Sequence, residues 1–172
     1  MSGFRDALRI TLRFEGGYAD HADDPGGATN RGITQATYDA WRAEQGATPR
    51  PVREITDAEV TAIYRQRYWL DGRCNMLPWP VSAAHFDACV NHGLRNAARL
   101  LQRAVGVAAD GIIGPITLGA VERSEPGGLV DEMLWQRLAF YERIMLRRRA
   151  SRTFCLGWLS RVNALRRSLR DT

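Results

Sequence analysis

The chain contains no lysine; all 24 of its basic side chains are arginine, set against 19 acids for a net charge of +5. Cysteine is scarce as well. Cys74, Cys89 and Cys155 are odd in number and widely spaced, which excludes a disulfide framework and any paired metal or redox spacing. They read as buried thiols of a protein made in a reducing compartment. No apolar run is long enough to cross a bilayer, and the first amphipathic segment is too short and too charged for an export signal. No stretch alternates apolar with polar residues, so strands are expected to be few, confined to a small hairpin within residues 17–33. At 172 residues and 45% hydrophobic content the chain suits one domain, or a compact unit fused to a smaller module.

What the chain does have is Phe14-Glu15-Gly16-Gly17-Tyr18. Upstream, Phe4, Ala7, Leu8, Thr11, Leu12 and Phe14 recur at helical spacing, and the glycine pair ends that pattern. Glu15 thus falls at the negative end of a helix dipole, where burial and dipole both favour a carboxyl that keeps its proton. A proton-donating carboxylic acid is what cleavage of a glycosidic bond requires. The following segment, from Tyr18 to Thr34, is rich in glycine and aspartate with almost nothing apolar, which predicts an ordered loop or hairpin facing a cleft. Glycoside hydrolysis also needs a group that holds water or stabilises positive charge across the bond. Asp24 fits that place, with Thr29 or Asn30 beside it and Thr34 as a further polar group. Tyr18, Tyr38 and Trp41 are candidates to stack on sugar rings, or else belong to the core.

The rest reads as helices. Thr34 is an expected N-cap with Ile33 and Tyr38 as its staple, opening a helix to about Glu44. Thr56 and Glu59 form a capping box for a helix that stops near Asp71-Gly72. Pro80 precedes a helix from Val81 to His92, in which Asp87 and Asn91 share a face as a buried pair or as a cleft wall. His85 and His92 also lie seven apart, but without a third ligand no metal site is expected. Asn96 to Val105 forms a short helix, Pro115 starts another, and Pro126-Gly-Gly128 reads as a break before a long helix from Leu129 to Arg149. In the last helix Trp158, Val162, Leu165 and Leu169 form an apolar stripe, with Arg161, Arg166, Arg167 and Arg170 opposite it. Ten arginines lie between Arg137 and Arg170, a surface suited to anionic polymers. No nucleic-acid motif accompanies them, so specific nucleic-acid binding is not expected.

Glu15-Gly-Gly-Tyr followed by Asp24-Pro-Gly-Gly-Ala-Thr-Asn-Arg-Gly-Ile-Thr34 resembles the N-terminal signature of glycoside hydrolase family 108, N-acetylmuramidases found as phage endolysins and secretion-associated lysozymes. Phe86-Asp87-x-x-Val90-Asn91-x-Gly93 and the segment from Phe154 to Arg161 are similar to that family's later regions, so the resemblance covers most of the chain. It makes Glu15 the catalytic acid. A looser likeness to phage lysozymes puts Asp24 in second place and leaves the third between Thr29 and Asn30. Asp110-Gly-x-x-Gly114-Pro115-x-Thr117 resembles the turn of small helical peptidoglycan-binding modules.

The resemblance implies a mainly α fold: a lysozyme-like catalytic part over residues 1–92 and a helical peptidoglycan-binding-like part, residues 93–172, packed against it. It implies a monomeric muramidase without cofactor, acting on peptidoglycan, whose arginine-rich C-terminus is a candidate to touch an anionic outer-membrane or lipopolysaccharide surface. With no signal sequence, it would be made in a bacterial host's cytoplasm and reach the periplasm and cell wall by a holin-like route. A lytic transglycosylase and a non-catalytic peptidoglycan-binding secretion accessory are the rivals.

Overall fold

The computed structural model describes residues 3–20, 27–147 and 153–170. Eight α-helices, two 3₁₀ turns, one π-helical turn and one two-stranded ladder make up the regular structure among these residues. The protein is mainly α, as the absence of alternating patterns predicted. No described helix is long and apolar enough to cross a membrane.

Helix α1 (Phe4–Leu12) buries Ala7, Leu8, Ile10 and Thr11, and single-turn bonds from Phe14 to Thr11 and Glu15 to Leu12 continue it to the glycine pair. Strands β1 (Thr29–Asn30) and β2 (Ile33–Thr34) then pair antiparallel, and Thr29 also bridges Ala19. The hairpin turn holds Arg31 at φ 51° and Gly32 at φ 75°. Both central residues are left-handed, as a tight hairpin matched to strand twist demands. The Thr34 cap forms on Thr37 N–H, and α2 (Gln35–Glu44) follows, with Ile33 and Tyr38 buried together as the staple.

The capping box at Thr56 and Glu59 is complete and opens α3 (Asp57–Tyr64). Beyond it the chain widens into a π-helical turn over Arg65–Leu70 before stopping at Asp71-Gly72. That insertion swings Trp69 into edge-on contact with Phe4 and Phe86.

Helix α4 (Val81–His92) is the hub. Its first nine residues are all buried, which a helix achieves only when neighbours cover every side. α1, α5 (Leu94–Ala104), α7 (Pro126–Arg147) and α8 (Cys155–Arg170) supply those neighbours. Helix α6 (Pro115–Glu122) begins at its proline as expected. One hydrophobic cluster runs from Ala7 to Leu169, so the segments before and after residue 92 share a core.

Two expectations need correction. Pro126-Gly-Gly128 is the first turn of α7, not a break before it. The Glu125 carboxylate accepts from Gly127 and Gly128 N–H at 2.7 and 2.5 Å, satisfying donors that a helix start leaves free. In α8, Arg161 belongs to the buried face, not opposite the apolar stripe. It precedes Leu165 and Leu169 at steps of four, so it shares their side of the helix.

Candidate active site

Glu15 leaves α1 where the glycines release the chain, and its side chain is only 17% exposed. Oε1 accepts from Arg161 at 2.9 Å. Oε2 lies against the hairpin turn: a Cβ on Gly32 would stand 2.7 Å from it and 2.6 Å from the Tyr64 hydroxyl. The hairpin tip therefore closes on Glu15 only because residue 32 has no side chain. Tyr64 donates to the Arg31 carbonyl at 2.8 Å. Burial first, and the Glu15 charge second, push the Tyr64 and Tyr68 hydroxyls up, so both stay protonated near the acid. The Arg161 guanidinium also lies over the Phe14 ring at 5.0 Å.

Arg161 does not stop at Glu15. Its other donors reach Asp87, with Nη2 at 2.8 Å, and Arg137 meets the same carboxylate at 2.5 Å. Asp87 and Arg137 are essentially sealed from solvent, and Arg161 is 8% exposed. Two guanidiniums thus face two carboxylates across the core, the balance that buried charge requires. Burial alone would raise the Asp87 carboxyl, but Arg137 and Arg161 outweigh it and hold the group below its ordinary value. Arg137 continues the network to Asn91 and Tyr141, and Tyr141 stacks on Trp158 with centroids 4.5 Å apart.

The other sequence-derived candidates fall into three groups. Asp24 lies outside the described residues. Thr29, half-buried on β1, bonds the Gly27 carbonyl at 3.3 Å, and Tyr18 is exposed, hydrogen-bonded to Asp20 and overlain by Arg53. Their hairpin and its approach border Glu15 through Gly32.

The third group is committed to structure. Tyr38 has no exposed surface, and its hydroxyl accepts from Arg50, so it cannot stack on a sugar. Asp87 has none either, which rules out a cleft wall that would touch substrate and leaves the buried role: its oxygens are spent on the two guanidiniums. Asn30 donates its amide to the carbonyls of Val52 and Arg53, pinning the hairpin to the neighbouring turn, and the Thr34 hydroxyl is used as the α2 cap. Asn91 is exposed, but its Oδ1 accepts from Arg137 and Tyr141. His92 packs its ring on Phe140 and Tyr141, away from His85, which faces Gly72 and Cys89.

Sequence reasoning missed Arg137 and Arg161. The one available signal for Arg161 was its four-residue phase with Leu165 and Leu169. For Arg137 the acid it serves lies 50 residues away.

Residues 8–93 match the profile of the family described as glycosyl hydrolase 108, and residues 96–163 match one described as a predicted peptidoglycan domain. The chain is similar to a solved structure, "Structure of Brucella abortus SagA", at 38% identity and a TM-score of 0.80, over 97% of this chain and 94% of that one. A search of curated proteins finds no match.

Proposed function

Because the chain belongs to the glycosyl hydrolase 108 family and carries a peptidoglycan domain, we propose that it is a muramidase. It hydrolyses the β-1,4 bond between N-acetylmuramic acid and N-acetylglucosamine, with Glu15 as the proton donor. The observation that carries this reading is the Glu15 carboxyl: mostly enclosed, clamped through Oε1 by Arg161, its second oxygen at the hairpin turn. A clamp on one oxygen fixes where the other sits. Proton transfer in the transition state depends on such positioning within hydrogen-bond reach of the leaving oxygen. Asp24, with the Thr29 hydroxyl, takes the opposite task of holding water or stabilising the oxocarbenium-like centre.

A cluster of arginines outside the C-terminal helix supports an anionic partner. Arg99 and Arg103 of α5 and Arg143 and Arg147 of α7 surround a cavity of 340 Å³. Like charges converge there with no acid among the described lining residues, which suits a phosphate- or carboxylate-bearing polymer. On this reading the enzyme works at the bacterial cell wall, reached through a holin-like route.

The test is digestion of purified sacculi, borohydride reduction and mass spectrometry of the soluble fragments. Reducible N-acetylmuramic acid ends are expected. Anhydromuramic ends would make the protein a transglycosylase. Binding to sacculi without fragment release would make it an accessory.

A further inference from the structure

We infer that Cys74, His85 and Cys89 form a site for one thiophilic divalent cation of the zinc class. The three residues are fully buried, and their candidate ligand atoms all lie within 4.8 Å of one another. His85 and Cys89 stand four apart on one face of α4, and the Cys89 Sγ is 3.5 Å from His85 Nε2. A sulfur at about 2.3 Å and a nitrogen at about 2.0 Å on a tetrahedral zinc stand roughly 3.6 Å apart. Two ligands therefore already have the spacing of an occupied site. Cys74 arrives from a separate element, the single 3₁₀ turn Cys74–Met76. That is why the spacing of the cysteines along the chain does not betray the cluster.

The surroundings fit a ligand set better than an ordinary core. Gly72 lies so close that a Cβ there would meet the Tyr68 carbonyl at 2.3 Å, Cys89 Sγ at 2.8 Å and Cys74 Sγ at 3.4 Å. The backbone thus wraps the two sulfurs. The Gly72 carbonyl is hydrogen-bonded to His85 Nε2 at 3.0 Å and so lies within reach of a cation bound to that nitrogen. The π-helical turn that aims this loop ends at Leu70, and such insertions recur at functional sites.

A cavity of 390 Å³ between residues 71–73 and 94–113 borders His85, with Asp71, Asp110, Arg73 and Arg95 in its lining. Two thiols and an imidazole suit zinc over the hard cations magnesium and calcium.

The experiment uses the full chain, reduced and freed of metal by chelation, then titrated anaerobically with Co²⁺ as a spectroscopic probe. One equivalent is expected to give the thiolate charge-transfer and strong visible absorption of tetrahedral cobalt, displaced by Zn²⁺, with a rise in Tm. Cys74→Ser and Cys89→Ser should abolish the absorption, and Cys155→Ser, whose thiol lies elsewhere and half-exposed, should retain it. Because the parent titration needs no variant to fold, it decides by itself. Absence of the cobalt spectrum in folded, reduced parent protein overturns the site. A signal unchanged in folded Cys74→Ser or Cys89→Ser protein overturns it too, as does a Cys74–Cys89 disulfide in the protein as isolated.

Discussion

Arg161 holds two carboxylates, and they live in different worlds. Asp87 is sealed in the core, receives bonds from two guanidiniums and has no exposed surface. Glu15 receives one bond from Arg161, keeps part of its surface open and rests its second oxygen on a glycine of the hairpin turn. The contrast separates architecture from chemistry. A carboxylate whose lone pairs are all taken can only hold the fold together; one with an oxygen to spare can meet a substrate. Burial alone would have picked Asp87 as the perturbed, functional-looking group, and the hydrogen-bond inventory picks Glu15.

Substitutions at the two acids should break the symmetry most clearly. Glu15→Gln preserves an acceptor for Arg161 and removes the proposed proton donor, so turbidity clearing of sacculi should fall by about 10³-fold or more. Its Tm should stay near that of the parent. Wild-type lysis by this variant would remove Glu15 from the reaction. Asp87→Ala should do the reverse, leaving Arg137 and Arg161 buried without their carboxylate at a cost of about 3–5 kcal/mol in denaturant unfolding. A loss below about 1 kcal/mol would mean the network is not buried in solution.

Acid titration sharpens the comparison further. Burial, then the Arg137 charge, pushes His92 down to about 3 from its ordinary 6.5. Between those values the unfolded chain binds a proton that the folded chain refuses, so stability should drop as pH falls from about 6.5 toward 3. The ring is only half-buried, so the drop should be about 2 kcal/mol, and His92→Phe should flatten it. The depressed Asp87 carboxyl acts in a lower window: its contribution is intact above its ordinary 3.8 and fades only as pH falls below that. A flat profile between pH 6.5 and 4 in the parent would show that His92 charges freely. The smallest effect belongs to the hairpin side. Thr34→Ala removes the α2 cap at a cost of about 1 kcal/mol, read by thermal melting, with lysis at permissive temperature little changed.

Local chemistry was readable from the chain alone. The Thr34 cap, the Thr56–Glu59 box, the Pro115 start and the glycine stop beside Glu15 each depend on residues within a few positions of one another. What escaped depends on distance. Tyr38 stayed open between stacking platform and core because nothing nearby in sequence announces that Arg50 will take its hydroxyl. Arg161 looked solvated because charge was weighed above helical phase, and its acids lie 74 and 146 positions back. Pro126-Gly-Gly128 looked like a break because the Glu125 carboxylate that rescues it is an uncommon cap.

The reach of α8 back to the first helix has an engineering corollary. The residue that orients the acid of residues 8–93 is contributed by the segment matching the peptidoglycan domain. A chimera that swaps this C-terminal segment for a foreign wall-targeting cassette must supply a guanidinium at the same spot. Without one, the chemistry proposed for Glu15 predicts a new address and no cutting.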